Sequence, residues 1–141
     1  MRVFVDTNLW LYRLDRRDPD KQQRIRIWLQ RLAQDHEIVV STQVLIELRA
    51  VLSNKFKPAF TPAQISQALD ALVNFEVITT DQALIQDAHQ LAVNEQLSWF
   101  DALIVEAAIR SHCRILFSED MAHNRRLGGL IIRNPFLDPA D

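Results

Sequence analysis

Short β-branched runs alternate along this chain with stretches whose apolar residues recur every three or four positions. Val3-Phe4-Val5, stopped by Asp6, predicts a buried first strand. A helix through Leu9, Leu11 and Leu14 follows, and a second carries Ile25, Trp28, Leu29 and Leu32 at helical spacing. Glu37 to Val40 predicts the next strand, with Ser41 or Thr42 as cap of a helix that carries Val44, Leu45, Leu48, Val51 and Leu52 and fades at Asn54. Phe56 to Phe60, with Pro58, is a loop. Thr61-Pro62-Ala63-Gln64 joins an N-cap, a first-turn proline and a capping-box glutamine, predicting a helix to about Val73.

Val77-Ile78-Thr79 predicts a third strand. Thr80 or Asp81 then starts a helix through Leu84, Ile85, Ala88 and Leu91, and Ser98-Trp99-Phe100-Asp101 opens another through Leu103, Ile104, Ala107 and Ala108. Arg114 to Phe117 and Leu130 to Ile132 complete the strands. This alternation predicts one α/β domain over residues 1–141, a mostly parallel sheet of four or five strands flanked by helices. In such sheets ligands bind beyond the carboxyl ends of the strands.

Composition narrows the chemistry. With 141 residues the chain has room for one ordinary core, and 16 Lys+Arg against 18 Asp+Glu rule out a generally basic nucleic-acid coat. A lone Cys113 excludes an intrachain disulfide framework and a cysteine-built zinc site, and favours a cytoplasmic setting. The only glycines, Gly128 and Gly129, are adjacent, so neither a P-loop nor a dinucleotide fingerprint can be built. Asp6 interrupts the first apolar run too early for a signal peptide, and no apolar stretch approaches a membrane span.

Four acids remain to be explained. Asp6 ends the first strand, Asp120 follows the fourth, Glu47 rides the helix after the second, and Asp101 lies in the first turn of the helix before the fourth. In a parallel sheet all four can approach one edge, where like charges must share protons or bind cations. Hard oxygen donors favour Mg²⁺ or Mn²⁺. Each acid also has a plainer use. Asp6 can cap the first helix, Asp101 can close a capping box with Ser98, and Asp120 can be a solvated loop acid. Glu47 stands at the margin of a nearly all-apolar helix, where a lone carboxylate requires a partner or a raised pKa.

Val5-Asp6-Thr7-Asn8, Val44 to Leu48 around Glu47, Ser98-Trp99-Phe100-Asp101-Ala102-Leu103-Ile104 and Leu116-Phe117-Ser118-Glu119-Asp120, in that order, resemble a PIN domain, in particular the VapC-type toxins of bacterial toxin–antitoxin pairs. The resemblance extends to the closing Ile132-Arg133-Asn134-Pro135-Phe136. It implies an Mg²⁺- or Mn²⁺-dependent endoribonuclease with Asp6, Glu47, Asp101 and Asp120 as its metal site. Asn8 and Ser118 match its polar supports, and Glu119 competes with Asp120 for the fourth place. The resemblance further implies a tRNA or rRNA substrate, a cognate VapB-type antitoxin and a homodimer. Glu106 lies five residues, about 140° of helix, from Asp101 and is read as a non-ligand.

Other polar residues enter as RNA contacts or as ordinary surface. Residues 11 to 31 carry seven arginines and lysines against three aspartates, so Arg13, Arg16 and Arg17 form either a phosphate-contacting rim or a solvated face. His123, with Asn124, Arg125 and Arg126, can line an RNA path close after Asp120. His36, His89 and His112 show no pairing, Cys113 is read as a small buried hydrophobe, and Trp10, Trp28 and Trp99 as core or partner contacts. Two rival functions share these residues: a non-catalytic PIN-like module binding RNA or protein, and a structure-dependent DNA nuclease.

Overall fold

The computed structural model describes residues 1–137. Six strands, β1 (Arg2–Val5), β2 (Glu37–Ser41), β3 (Glu76–Ile78), β4 (Ile115–Phe117), β5 (Arg126–Leu127) and β6 (Leu130–Arg133), form one sheet in the order β3-β2-β1-β4-β6-β5. All neighbours are parallel except the β5–β6 pair. The helices are α1 (Thr7–Leu14), α2 (Pro19–Asp35), α3 (Thr42–Asn54), α4 (Pro62–Val73), α5 (Gln82–Glu95) and α6 (Trp99–Arg110).

The predicted α/β domain is present, with a sixth strand that the hydrophobic pattern does not reveal. β5 has no β-branched run to announce it. It exists because Gly128-Gly129 closes a two-residue hairpin in which Leu127 pairs with Leu130. Gly128 takes φ +64°, a backbone conformation that favours glycine. The adjacent glycines were thus the available signal. The helix starts match their chemistry: Ser41 caps α3, Asp81 caps α5, and Thr61 with Gln64 closes the capping box of α4.

Central strands β1 and β2 are buried on both faces, from Val3 to Val5 and from Ile38 to Ser41. That burial explains their continuous apolar runs. Trp10 of α1 lies on this core with its indole N–H donating to the Val5 carbonyl at 3.1 Å, which fixes the helix to the strand that precedes it. Trp28 of α2 packs edge-on to Phe117 of β4. Among the described residues no helix is long and apolar enough to cross a membrane.

From β1 the chain builds outward through β2 to β3. It then returns to the other side of β1 with β4. This reversal makes the crevice between the carboxyl ends of β1 and β4 the topological switch point, where open parallel sheets bind ligands. The Asp6 amide donates to the Phe117 carbonyl at 3.0 Å, so the two strand ends stay paired up to the crevice.

Candidate acidic site at the carboxyl edge of the sheet

Asp6 leaves β1 directly into α1, so its position is set by the two elements it joins. Its carboxylate is almost fully buried, with Oδ1 accepting the Thr7 amide at 2.7 Å and Oδ2 the Ser118 hydroxyl at 2.9 Å. The helix-capping use and the site position therefore belong to the same residue. Burial, reinforced by repulsion from Glu47 and Asp101, pushes the Asp6 carboxyl up to about 7, against the opposing effect of its two hydrogen bonds.

Ser118 ends β4 and is fully buried. It also accepts the Asp120 amide at 3.2 Å, which turns the chain so that Asp120 meets Asn8. Asn8 Nδ2 donates to Asp120 Oδ2 at 2.8 Å. Asp6, Ser118, Asp120 and Asn8 thus form one connected network across the switch point, running from a buried acid to an exposed one.

Glu47 has the partner its position demands, and that partner is uncharged. Gln43 Nε2 donates to Glu47 Oε1 at 2.6 Å and to the Phe100 carbonyl at 3.3 Å, linking α3 to the start of α6. Sequence reasoning passed over Gln43, although four residues before Glu47 is helical contact spacing. Asp101 is half-buried and its amide donates to Ser98 Oγ at 3.4 Å, but no reciprocal capping box forms. The Asp101 carboxylate is left for the crevice.

Several other assignments are resolved by placement. Glu119 turns away from Asp120, accepting the Tyr12 hydroxyl at 3.0 Å and standing 3.1 Å from Lys21 Nζ. Glu106 faces Arg110 at 3.9 Å, its carboxyl raised by burial and by Asp87. Cys113 is buried, and its thiol is raised by burial.

Most of the residues read as candidate RNA contacts have contacts within the chain. Arg13 lies over Trp10 at 5.2 Å, and burial lowers its pKa. Arg17 pairs with Asp15 at 2.8 Å and covers Phe56 at 4.9 Å. With exposed Arg16 they line a groove of about 390 Å³ against Phe56, Phe60 and α4, and none of the four acids lines it. His123 Nδ1 accepts the Asn134 amide at 2.9 Å, so this ring is occupied by the backbone. Arg125 donates to the Glu95 carbonyl at 2.6 Å, and Arg126 is exposed on the edge strand β5.

A divalent cation suits the donor set: Asp6 feels the negative charge of Glu47 and Asp101, and among the described residues none of these three carboxylates is paired with a Lys or Arg. The Asn8 Oδ1, Thr7 Oγ1 and Gln43 Oε1 atoms are buried without a partner, which leaves acceptors at the site for coordinated water. Among the described residues no three His, Cys, Asp or Glu side chains converge closely enough to hold an ion by themselves.

A family model for the PIN domain matches residues 3–126. No curated protein matches the chain by sequence. Among solved structures, VapBC2 from Rickettsia felis, bound to a DNA fragment from its promoter, aligns with a TM-score of 0.66 at 20% identity over 95% of this chain and 98% of that one. A toxin–antitoxin complex from Klebsiella pneumoniae aligns at 0.65 and 19% identity over 92% and 95%. VapC20 from Mycobacterium tuberculosis, a sarcin–ricin loop cleaving toxin, aligns at 0.60 and 18% identity over 84% and 91%. At these identities the likeness is one of fold.

Proposed function

The chain belongs to the PIN-domain family, and on that premise we propose that it is a VapC-type toxin, a metal-dependent endoribonuclease that hydrolyses RNA phosphodiester bonds. The observation that carries the reading is Asp6: a buried carboxylate at the switch point, held by Thr7 and Ser118 and repelled by Glu47 and Asp101. Burying an acid among acids costs stability, and a cation-dependent function explains why the fold retains the arrangement.

Asp6 and Asp101 would hold Mg²⁺ or Mn²⁺, with Glu47 and Asp120 completing the pocket. When bound there, such an ion would supply a water of lowered pKa and offset charge on the scissile phosphate. Ser118 and the Thr7 amide fix both oxygens of Asp6 and so determine which lone pairs face the crevice. Gln43 does the same for Glu47, and Asn8 for Asp120. Asn8 Oδ1, buried without a partner among the described residues, is available to accept a hydrogen bond from a water in the crevice. The half-buried to exposed acids, Asp101 and Asp120, line the open side, where a polynucleotide backbone has access.

A cognate VapB-type antitoxin is the proposed partner, supported by the toxin–antitoxin assemblies among the similar folds. A homodimer is proposed through the surface beside the site. Ile46 of α3 and Trp99 and Phe100 of α6 are exposed at 68%, 41% and 64%, on two helix segments that Gln43 joins. Such a cluster of apolar side chains marks an interaction face. Cytoplasmic RNA, with tRNA and rRNA foremost, is the proposed substrate pool.

The test is cleavage of single-stranded RNA and DNA in parallel with Mn²⁺, then with chelator. Metal-dependent cutting of RNA supports the reading. Preferential cutting of DNA makes the protein a DNA nuclease, and RNA retained without cleavage makes it a binding module.

A further inference from the structure

Beside the acidic site lies a second cluster, made of Tyr12, Lys21, Glu119 and Phe136, that the proposed chemistry does not use. We propose that Glu119, gripped by Tyr12 and Lys21, is a positioning residue that sets Asp120 in the site, so that the two consecutive acids have separate duties. This rests on the reading of the acidic site as a metal-dependent nuclease centre.

Helix α1 holds both acids. Asn8 and Tyr12 are four residues apart and share one face of the helix. Asn8 Nδ2 donates to Asp120 Oδ2 at 2.8 Å, and Tyr12 Oη donates to Glu119 Oε1 at 3.0 Å. Consecutive loop acids are therefore pegged to consecutive turns of one helix. A residue step along the loop is matched by a helical step, so anchoring one acid dictates where its neighbour points.

Lys21 makes the outer peg strong. Its ammonium stands 3.1 Å from Glu119 Oε2, 3.8 Å from the Tyr12 ring centroid and 4.6 Å from that of Phe136. The side chains of Lys21 and Glu119 are only 30% and 28% exposed, so the ion pair and the cation–π contacts are partly desolvated. Tyr12 and Phe136 meet edge to face at 5.8 Å. Phe136 in turn is fixed by its amide donating to Asn134 Oδ1 at 2.9 Å, and the Asn134 amide donates to His123 Nδ1 at 2.9 Å. Helices α1 and α2, the loop after β4 and the segment after β6 all close on Glu119.

Moving Glu119 into the acidic site would strip Lys21 of its counter-ion against two aromatic faces and leave the Tyr12 hydroxyl without its acceptor. Asp120, by contrast, is exposed, and Asn8 is its side-chain partner. Its orientation depends on the loop that Glu119 anchors.

The test compares Lys21→Met, Lys21→Arg, Tyr12→Phe and Glu119→Gln with the wild-type protein. Three readouts are taken: amide hydrogen exchange over residues 118–121 without metal, Mn²⁺ affinity by calorimetry, and kcat and KM for RNA cleavage. Lys21→Met and Tyr12→Phe should accelerate exchange at the Asp120 amide and lower kcat about tenfold with little change in KM, as loss of supporting contacts around a metal site does. Lys21→Arg, which keeps the charge and the stacking, should restore both. Unchanged exchange and kcat in both variants would overturn the proposal. So would loss of Mn²⁺ binding in Glu119→Gln with wild-type binding in Lys21→Met, because Glu119 would then be a ligand. If the wild-type protein fails to cut RNA, the nuclease reading fails, while the metal-free exchange rates still decide the positioning role.

Discussion

The Ser118 hydroxyl donates to Asp6 Oδ2 at 2.9 Å and so joins the carboxyl ends of β4 and β1 through one buried hydrogen bond. The same oxygen accepts the Asp120 amide, so one small side chain orients two of the four acids. Ser118→Ala should retain the fold, because the lost atom is small. It should lower RNA cleavage by about 10- to 100-fold, the usual cost of removing a contact that orients a metal ligand. Steady-state cleavage with circular dichroism as the fold control checks this.

Asp6 makes the stability of the metal-free protein depend on pH. Its carboxyl titrates near 7 in the folded chain, against 3.8 as the ordinary value, so the native state holds a proton that the unfolded state has already released. Between those two values stability must fall as pH rises, and above about 7 this contribution is level. Urea unfolding in chelator should therefore show a decline from pH 4 to pH 7 that Asp6→Asn removes. The variant should be the more stable protein at pH 8. A wild-type curve that rises through the same window would contradict the buried, repelled carboxyl.

Metal should reverse that trend. Binding requires ionised Asp6, so a divalent ion should bind more tightly as pH rises to about 7 and release a proton on binding at pH 6. Calorimetry in two buffers of different ionisation enthalpy measures the proton count. Equal heats in both buffers at pH 6 would show that Asp6 is not coupled to the ion.

Much of this site was legible in the chain. Asp6 ends an apolar strand run, and the parallel α/β rhythm lets it reach the carboxyl edge, whereas Ser118 was marked only by the resemblance to PIN domains. What the pattern could not convey was contact between side chains distant in sequence. The Gln43–Glu47 pair lies at ordinary helical spacing within α3, whereas the reach of Gln43 to the Phe100 carbonyl, 57 residues on, had no sequence signal. The fate of Glu119 turns on Lys21 and Tyr12, nearly a hundred or more residues away. The contacts of the basic residues were hidden for a related reason. A count of charges does not reveal that Arg13 stacks on Trp10, that Arg17 pairs with Asp15, or that Arg125 binds Glu95. Strand β5 escaped because a two-residue strand is specified by its turn rather than by its own periodicity.

The exposed face beside the acids is tested by charge. Ile46 is 68% exposed, so Ile46→Asp should leave the fold unaltered while placing two like charges opposite each other in a dimer. Light scattering after size exclusion should show the wild-type protein as a dimer and the variant shifted to monomer at micromolar concentration. An unchanged mass would place the dimer contact elsewhere.

RNA cleavage at the acidic crevice is the core of the proposed function. Asp101 tests it more directly than Asp6, because its carboxylate is half-buried and has no hydrogen-bonding partner among the described residues, so Asp101→Asn disturbs little else. The measurement is cleavage of single-stranded RNA in Mn²⁺ by the wild-type protein and by folded Asp101→Asn. Cutting is expected from the first, abolished by chelator, and none from the second. Wild-type cleavage rates in the folded variant would contradict the proposed function.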